Sequence, residues 1–137
     1  MLLRIFLMGL LVAVMGGCTA ISNRTIAHNL DKTSKKYCKM IRWNELDQAE
    51  VLFPSEKLQA EFKQKVIAAQ GVKVTDVRIK KMECFPERGE ATIIMDIDYY
   101  REPSITLKTV EDKQEWKYVD EDGNEQWRLM TLPPDFP

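Results

Sequence analysis

Three residues at alternate positions, Asp96, Asp98 and Tyr100, carry the side chains of this sequence best suited to acid–base chemistry. A carboxyl group whose pKa is raised by apolar surroundings can act as a general acid or base, and a tyrosine hydroxyl can donate a hydrogen bond to developing negative charge. Side chains two residues apart lie on the same face of a β-strand. If that face lined a cavity, the three residues would form a candidate catalytic site.

The opposite face of the same strand argues against that role. Its alternating apolar stripe consists of Ala91, Ile93, Met95, Ile97 and Tyr99. In an antiparallel sheet with one covered face, the apolar side packs on the core and the polar side faces water. We therefore expect both aspartates to face solvent, and catalysis by Asp96 or Asp98 with a tyrosine is the alternative hypothesis.

Cys18 follows a segment with the layout of an export signal. Arg4 is followed by a mostly apolar run over 5–15 and then by two glycines. The run is shorter than the about 20 apolar residues that span a bilayer. A charged start, a short apolar stretch and small residues before a cleavage point are typical of secretory signals, so residues 1–17 are interpreted as a signal peptide.

The motif Met15-Gly16-Gly17-Cys18 resembles the lipobox of bacterial lipoproteins, although Met15 stands where leucine is usual. The resemblance implies cleavage before Cys18, a diacylglycerol on its sulfur and an acyl chain such as palmitate on its amino group. Two or more chains anchor a protein stably, whereas one chain binds only marginally. Thr19 follows the cysteine, which in enterobacterial sorting implies the outer membrane. We therefore expect a lipid anchor at Cys18 and a domain facing the periplasm.

Lipidation of Cys18 would leave an even pair, Cys38 and Cys84, in an exported protein. Export permits disulfides, so these two could form a bridge that closes a loop of about 46 residues. Two buried free thiols are the equally weighted alternative. No metal site is expected, because the sequence has no Cys-x-x-Cys pair and a single histidine, His28. No cofactor is predicted.

Glycines and prolines separate the segments that must position these residues. Residues 18–29 are small and polar without periodicity, which predicts a flexible tether. Apolar residues at helical spacing predict one or two helices over 30–53. A serine N-cap and a glycine stop frame a further helix over 55–71.

From residue 72 onward the apolar period changes to two. Strands are predicted over 72–85, 91–100, 105–119 and 126–131. An irregular alternation near Val77 suggests a bulge. Helices followed by antiparallel strands indicate one α+β domain over 30–137, with N-terminal helices packed on a curved sheet of about four strands. The formal net charge of −1 gives no electrostatic basis for nucleic-acid binding.

The order of these elements, with Tyr99-Tyr100, Trp116 and Trp127, resembles the cone-shaped NTF2-like (cystatin-like) superfamily, in which helices pack on the concave side of a bent sheet. The runs 100–104, 114–116 and 132–136 look like those of small bacterial lipoproteins of this shape. That narrower resemblance implies no activity.

In a fold of this shape, Trp43, Tyr99, Trp116 and Trp127 are the candidates to line a pocket. The predicted function is a binding or interaction module that engages an envelope protein or a small apolar ligand. The superfamily resemblance also implies the alternative, because its ketosteroid isomerases and scytalone dehydratases place an acid or histidine and a tyrosine in an apolar cavity. That alternative is a small cavity enzyme of isomerase, dehydratase or hydrolase type.

Overall fold

The structure, a computed structural model, describes the backbone of residues 2–137 and the side chains of residues 22–137. Within this part of the chain, the α-helices are α1 (Leu2–Arg42), α2 (Leu46–Leu52) and α3 (Gln59–Ala68). The strands are β1 (Val72–Phe85), β2 (Glu90–Arg101), β3 (Lys108–Glu121) and β4 (Asn124–Leu129). They form one open antiparallel sheet in the order β1-β2-β3-β4, so the predicted α+β fold is confirmed.

The end of α1 is determined by Asn44, whose φ of 60° lies in the left-handed region that asparagine adopts more readily than most residues. Its N–H donates to the carbonyl of Ile41 at 3.0 Å. The N–H of Glu45 donates to the carbonyl of Met40 at 2.8 Å, which completes a Schellman motif. The Asn44 side chain accepts a hydrogen bond from the N–H of Val74 on β1 at 3.0 Å. One residue thus ends the helix and joins it to the sheet.

The flexible tether predicted over 18–29 is corrected for residues 22–29, which belong to α1. Ile26 packs against the core, and its carbonyl accepts a hydrogen bond from the indole N–H of Trp127 at 3.0 Å. Ile26 precedes the buried Leu30 by four residues, so the helical apolar spacing extends back into a segment that its polar neighbours make look unstructured. The folded domain therefore begins before residue 30.

The face of β2 turned toward the helices is buried along its length, as its alternation predicts. Its buried side chains are Ala91, Ile93, Met95, Ile97 and Tyr99. On β1, the pairing with β2 shifts register twice, between Val74 and Asp76 and between Ile79 and Lys81. The two shifts flank Val77, where the alternation of the sequence is irregular, and such shifts increase local twist.

Aromatic side chains fill the space between the helices and the sheet. Tyr37 of α1, Phe53 after α2 and Trp116 of β3 meet edge to face, with ring centroids 5.3, 5.7 and 6.2 Å apart in the three pairs. All three are buried, as is Phe62 of α3. The helix-covered side of the sheet is thus occupied by the chain's own side chains.

The direction of α1 defines two ends of the domain. Near the first of its described side chains, α1 meets β4 through the bond between Ile26 and Trp127. At its end, the Arg42 guanidinium donates to the carbonyl of Val74 on β1 at 3.3 Å. These helix positions are separated by about 24 Å at 1.5 Å per residue. We call the end of the domain at Ile26 the entry end and the end at Arg42 the far end.

Candidate functional site

Asp98 is held in a bidentate ion pair on the face of the sheet turned away from the helices. The two terminal nitrogens of Arg78 on β1 lie 2.5 and 3.0 Å from its carboxylate oxygens. Thr109 on β3 donates a further hydrogen bond at 2.6 Å. The hydrogen bonds from Arg78, and then from Thr109, lower the pKa of Asp98 to about 2. A carboxylate held in this way stays charged at neutral pH and is a poor proton donor.

Asp96 and Tyr100 lie on the same outward face and do not form a pocket with Asp98. Lys80 lies 3.5 Å from the Asp96 carboxylate and 2.9 Å from that of Glu111. Tyr100 is only half-buried at the end of β2. The structure therefore places all three candidate catalytic residues on the outer face, in or beside a ladder of ion pairs.

The four aromatic residues predicted to line a pocket lie in different places. Tyr99, Trp116 and Trp127 are buried, whereas Trp43 is 63% exposed with the Arg42 guanidinium over its ring. Trp116 borders a surface cleft of about 290 Å³, and Trp127 borders another of about 210 Å³. Neither of these two clefts is lined by a second one of these aromatics. They do not surround a common cavity.

A buried polar cluster that the sequence analysis missed lies on β3. Asp112 is 3% exposed and accepts a hydrogen bond from the Gln114 amide at 2.6 Å. The Gln114 carbonyl accepts one from the Trp116 indole at 3.0 Å. These residues alternate along β3, so all three side chains face the helices. The buried Trp116 marks every second residue before it, Gln114 and Asp112, as facing the core. Polar residues occupy both the odd and the even positions of β3, so this alternation is not visible in the sequence.

Burial changes the acidity of this cluster. Loss of hydration raises the pKa of Asp112 to about 6, and the hydrogen bond from Gln114 opposes that rise. The hydroxyl of Tyr37 on α1 is buried with no hydrogen-bond partner among the described residues, and burial, with the charge of Asp112 next, raises its pKa. The clefts beside Trp116 and Trp127 are not lined by Asp112, Gln114 or Tyr37.

Cys38 and Cys84 are free thiols in the structure, so the disulfide considered for them is not formed. Both are partly buried against the core. Burial raises the pKa of Cys38 to about 11, with a smaller contribution from the charge of Asp112. Burial and then the charge of Glu87 raise the pKa of Cys84. Thiols with raised pKa values remain protonated at neutral pH and react slowly.

A groove at the far end of the domain holds the chain's own residues 132–137, which we call the strap. The ring of Phe136 is buried and stands edge-on to Tyr99 of β2, with centroids 5.0 Å apart. Lys65 of α3 pairs with Asp135 at 2.6 Å. The strap has no helix or strand of its own. Its position therefore depends on side chains that the groove supplies.

Three donors in the groove bind main-chain oxygens of the strap. Arg101 of β2 donates to the carbonyl of Phe136 at 2.9 Å. The Tyr99 hydroxyl and the Lys108 ammonium both donate to the main-chain oxygen of Pro137, at 2.8 and 3.0 Å. The sequence predicts that Tyr99 lines a pocket. In the structure it forms the floor of this groove.

Cys18, with the predicted signal peptide over 1–17, lies outside the residues whose side chains the structure describes. Among residues 22–137, no group of three or more histidine, cysteine or acidic side chains is arranged to hold a metal ion. Over the same residues, no helix has the length and hydropathy needed to cross a bilayer.

No protein-family model matches the sequence, and neither a curated protein nor a solved structure shows significant similarity to it.

Proposed function

We propose that this protein is a lipoprotein of the bacterial cell envelope, anchored through lipid on Cys18, whose NTF2-like domain is a binding module. The protein is anchored in the outer membrane and faces the periplasm, where its surface binds a protein of the envelope or a small apolar ligand. One observation carries the choice of binding over catalysis. The face covered by helices is filled by Tyr37, Phe53 and Trp116, and the candidate carboxylates on the other face are neutralised by Arg78 and Lys80.

The direction of α1 supports the anchoring. Cys18 lies only eight residues before Ile26 in the sequence, and Ile26 lies at the entry end. A lipid at Cys18 therefore connects to the entry end and leaves the far end, with its groove, directed away from the attachment point. A binding surface so placed is open to partners in the periplasm.

Lipid anchoring is tested by changing Cys18→Ser and fractionating cells, with Cys38→Ser as the matched control. Cys38 is a half-buried thiol of the folded domain, so its loss leaves the anchor intact. We expect Cys18→Ser to leave the membrane fraction and Cys38→Ser to stay in it. Membrane retention of both variants would contradict the anchor.

Binding is tested with a photo-reactive amino acid at Ile105, in the connection that leads into the far end of β3, where the native side chain is 88% exposed. Val51 on α2, also exposed, is the matched position elsewhere on the surface. We expect one defined cross-linked partner from Ile105 in living cells and none from Val51. Repeated irradiation without any product from Ile105 would count against a protein partner at this end.

A second function, a cavity enzyme, is favoured by one observation, the buried Asp112 beside the unpartnered hydroxyl of Tyr37. A carboxyl with a raised pKa in a closed apolar site suits proton transfer. It ranks second because both side chains are buried in the packed core, with Asp112 3% and Tyr37 0% exposed. A small-molecule ligand that shifts the NMR signals of Asp112 and Tyr37, and is turned over by the wild type but not by Asp112→Asn, would place the enzyme first.

A further inference from the structure

We propose that the far-end groove is a peptide-recognition site, and that the strap occupies it as an internal competitor. The ligand is a short proline-containing segment of a partner protein in which an acidic residue precedes an aromatic one. This proposal rests on the binding function proposed above, and it names the class of ligand that the domain binds.

Main-chain recognition is the first reason. The groove contacts the strap through main-chain oxygens, at Phe136 and Pro137, using donors from Tyr99, Arg101 and Lys108. Main-chain oxygens are present in every peptide, so these donors can hold the backbone of another peptide that follows the same course. Binding of a peptide main chain by side-chain donors and an aromatic floor is a recurring mode of peptide recognition.

Two side chains of the strap supply specificity. Phe136 is buried against Tyr99, which makes it the aromatic anchor. Asp135 is 81% exposed, yet its carboxylate meets Lys65 at 2.6 Å. Lys65, Arg101 and Lys108 give this groove three cations, so an acidic residue before the aromatic residue complements its charge.

Arg101 is also held by residues outside the strap. Arg101 also donates to the carbonyls of Gln70 at 3.0 Å and Ala68 at 3.3 Å, at the end of α3. Its guanidinium is therefore oriented by the domain itself. A preoriented donor costs less ordering entropy when a ligand binds, so the site is suited to exchange one peptide for another.

The strap is held in a way that permits displacement. Three of its six residues are prolines, which have no N–H to donate. Among the described residues, no hydrogen bond that holds the strap uses one of its own N–H groups. Its ion pair is exposed on the Asp135 side, and such pairs contribute about 1 kcal/mol or less. A cleft of about 120 Å³ also remains beside Phe136.

The test measures the affinity of a synthetic peptide, Thr-Leu-Pro-Pro-Asp-Phe-Pro with fluorescein at its N-terminus, for the full chain in detergent by fluorescence anisotropy. The change Phe136→Ala weakens the internal competitor. We expect it to lower the Kd at least about tenfold, because the fraction of molecules with an open groove limits the apparent affinity. The same peptide with alanine in place of phenylalanine should not bind.

Phe85→Ala is the matched control, since Phe85 is a partly exposed aromatic residue outside the groove. It should bind like the wild type. Asp135→Asn removes the ion pair with Lys65 without creating a cavity, because the Asp135 side chain is exposed. The peptide keeps its own aspartate, so this variant should also bind it more tightly than the wild type. This second variant decides the question if Phe136→Ala does not fold.

Folded Phe136→Ala or Asp135→Asn protein that binds the peptide no better than Phe85→Ala would overturn the proposal. A wild-type dimer in which the strap enters the neighbouring molecule would overturn it too, because the groove would then be an interface between copies. Neither result bears on the fractionation of Cys18→Ser, so failure of the peptide site is distinguishable from failure of the anchored binding function.

Discussion

Burial of Asp112 lowers the stability of the folded protein by an amount that depends on pH. Its side chain is buried within a core of aromatic and aliphatic residues, and its only hydrogen bond among the described residues comes from Gln114. Its pKa in the folded protein, about 6, lies above its ordinary value of 3.8. A carboxyl whose pKa is raised by folding binds protons more tightly in the folded state, so stability is lost as pH rises from about 4 to about 6.

Asp112→Asn should remove that loss. Asparagine keeps an acceptor for Gln114 and never ionises, so the free energy of unfolding should rise at pH 8 by as much as about 3 kcal/mol and change little at pH 4. Urea unfolding at the two pH values measures this. Asp96→Asn, on the outer face, is the control and should keep the wild-type pH dependence because Asp112 is intact. Equal effects of Asp112→Asn at both pH values would contradict the assignment.

Tyr37 offers a second residue-scale prediction, because its ring and its hydroxyl have opposite effects. The ring packs on Phe53 and Trp116, whereas the hydroxyl is buried without a partner among the described residues. Tyr37→Phe should therefore leave the free energy of unfolding unchanged or raise it by about 1 kcal/mol. Tyr37→Ala should lower it by about 3–5 kcal/mol. A marked loss in Tyr37→Phe would mean that the hydroxyl has a partner.

At the scale of elements, the extension of α1 before residue 30 depends on Trp127. The change Trp127→Phe removes the hydrogen bond to the Ile26 carbonyl and part of a buried ring. We expect a loss of about 1–2 kcal/mol in stability. Amide hydrogen exchange over residues 22–30 should also become faster. Trp43→Phe, at an exposed tryptophan, is the matched change and should affect neither. Fast exchange over 22–30 in the wild type would restore the flexible tether.

The elements were predictable where one face of each has a simple pattern. The buried stripe of β2 alternates without exception from Ala91 to Tyr99, and glycine marks the end of the α3 segment at Gly71. The burial of Asp112 was not predictable, because charged residues at both the odd and the even positions of β3 suggest a strand exposed on both faces. The groove was not predictable either. It joins Lys65, Arg101 and Phe136, which are distant in sequence and meet only when the sheet and α3 have packed.

At the scale of the whole molecule, the two ends of the described chain pack into one domain. Ile26 packs on the core near β4, and Phe136 packs on Tyr99 of β2. We therefore expect a single cooperative unfolding transition, in which the fluorescence of the buried Trp116 and Trp127 and the helical circular dichroism change at the same urea concentration. Separate midpoints would show that α1 or the sheet unfolds independently.

The bond between Asn44 and Val74 has a consequence for aggregation. β1 is an edge strand 14 residues long, and exposed edges of that length can add strands from other molecules. Both main-chain groups of Val74 are already used, its N–H by Asn44 and its carbonyl by Arg42. Farther along, Lys80 and Lys81 place charge on the same strand. The residues that end α1 therefore also block one end of this edge, which protects that end from adding a strand of another molecule.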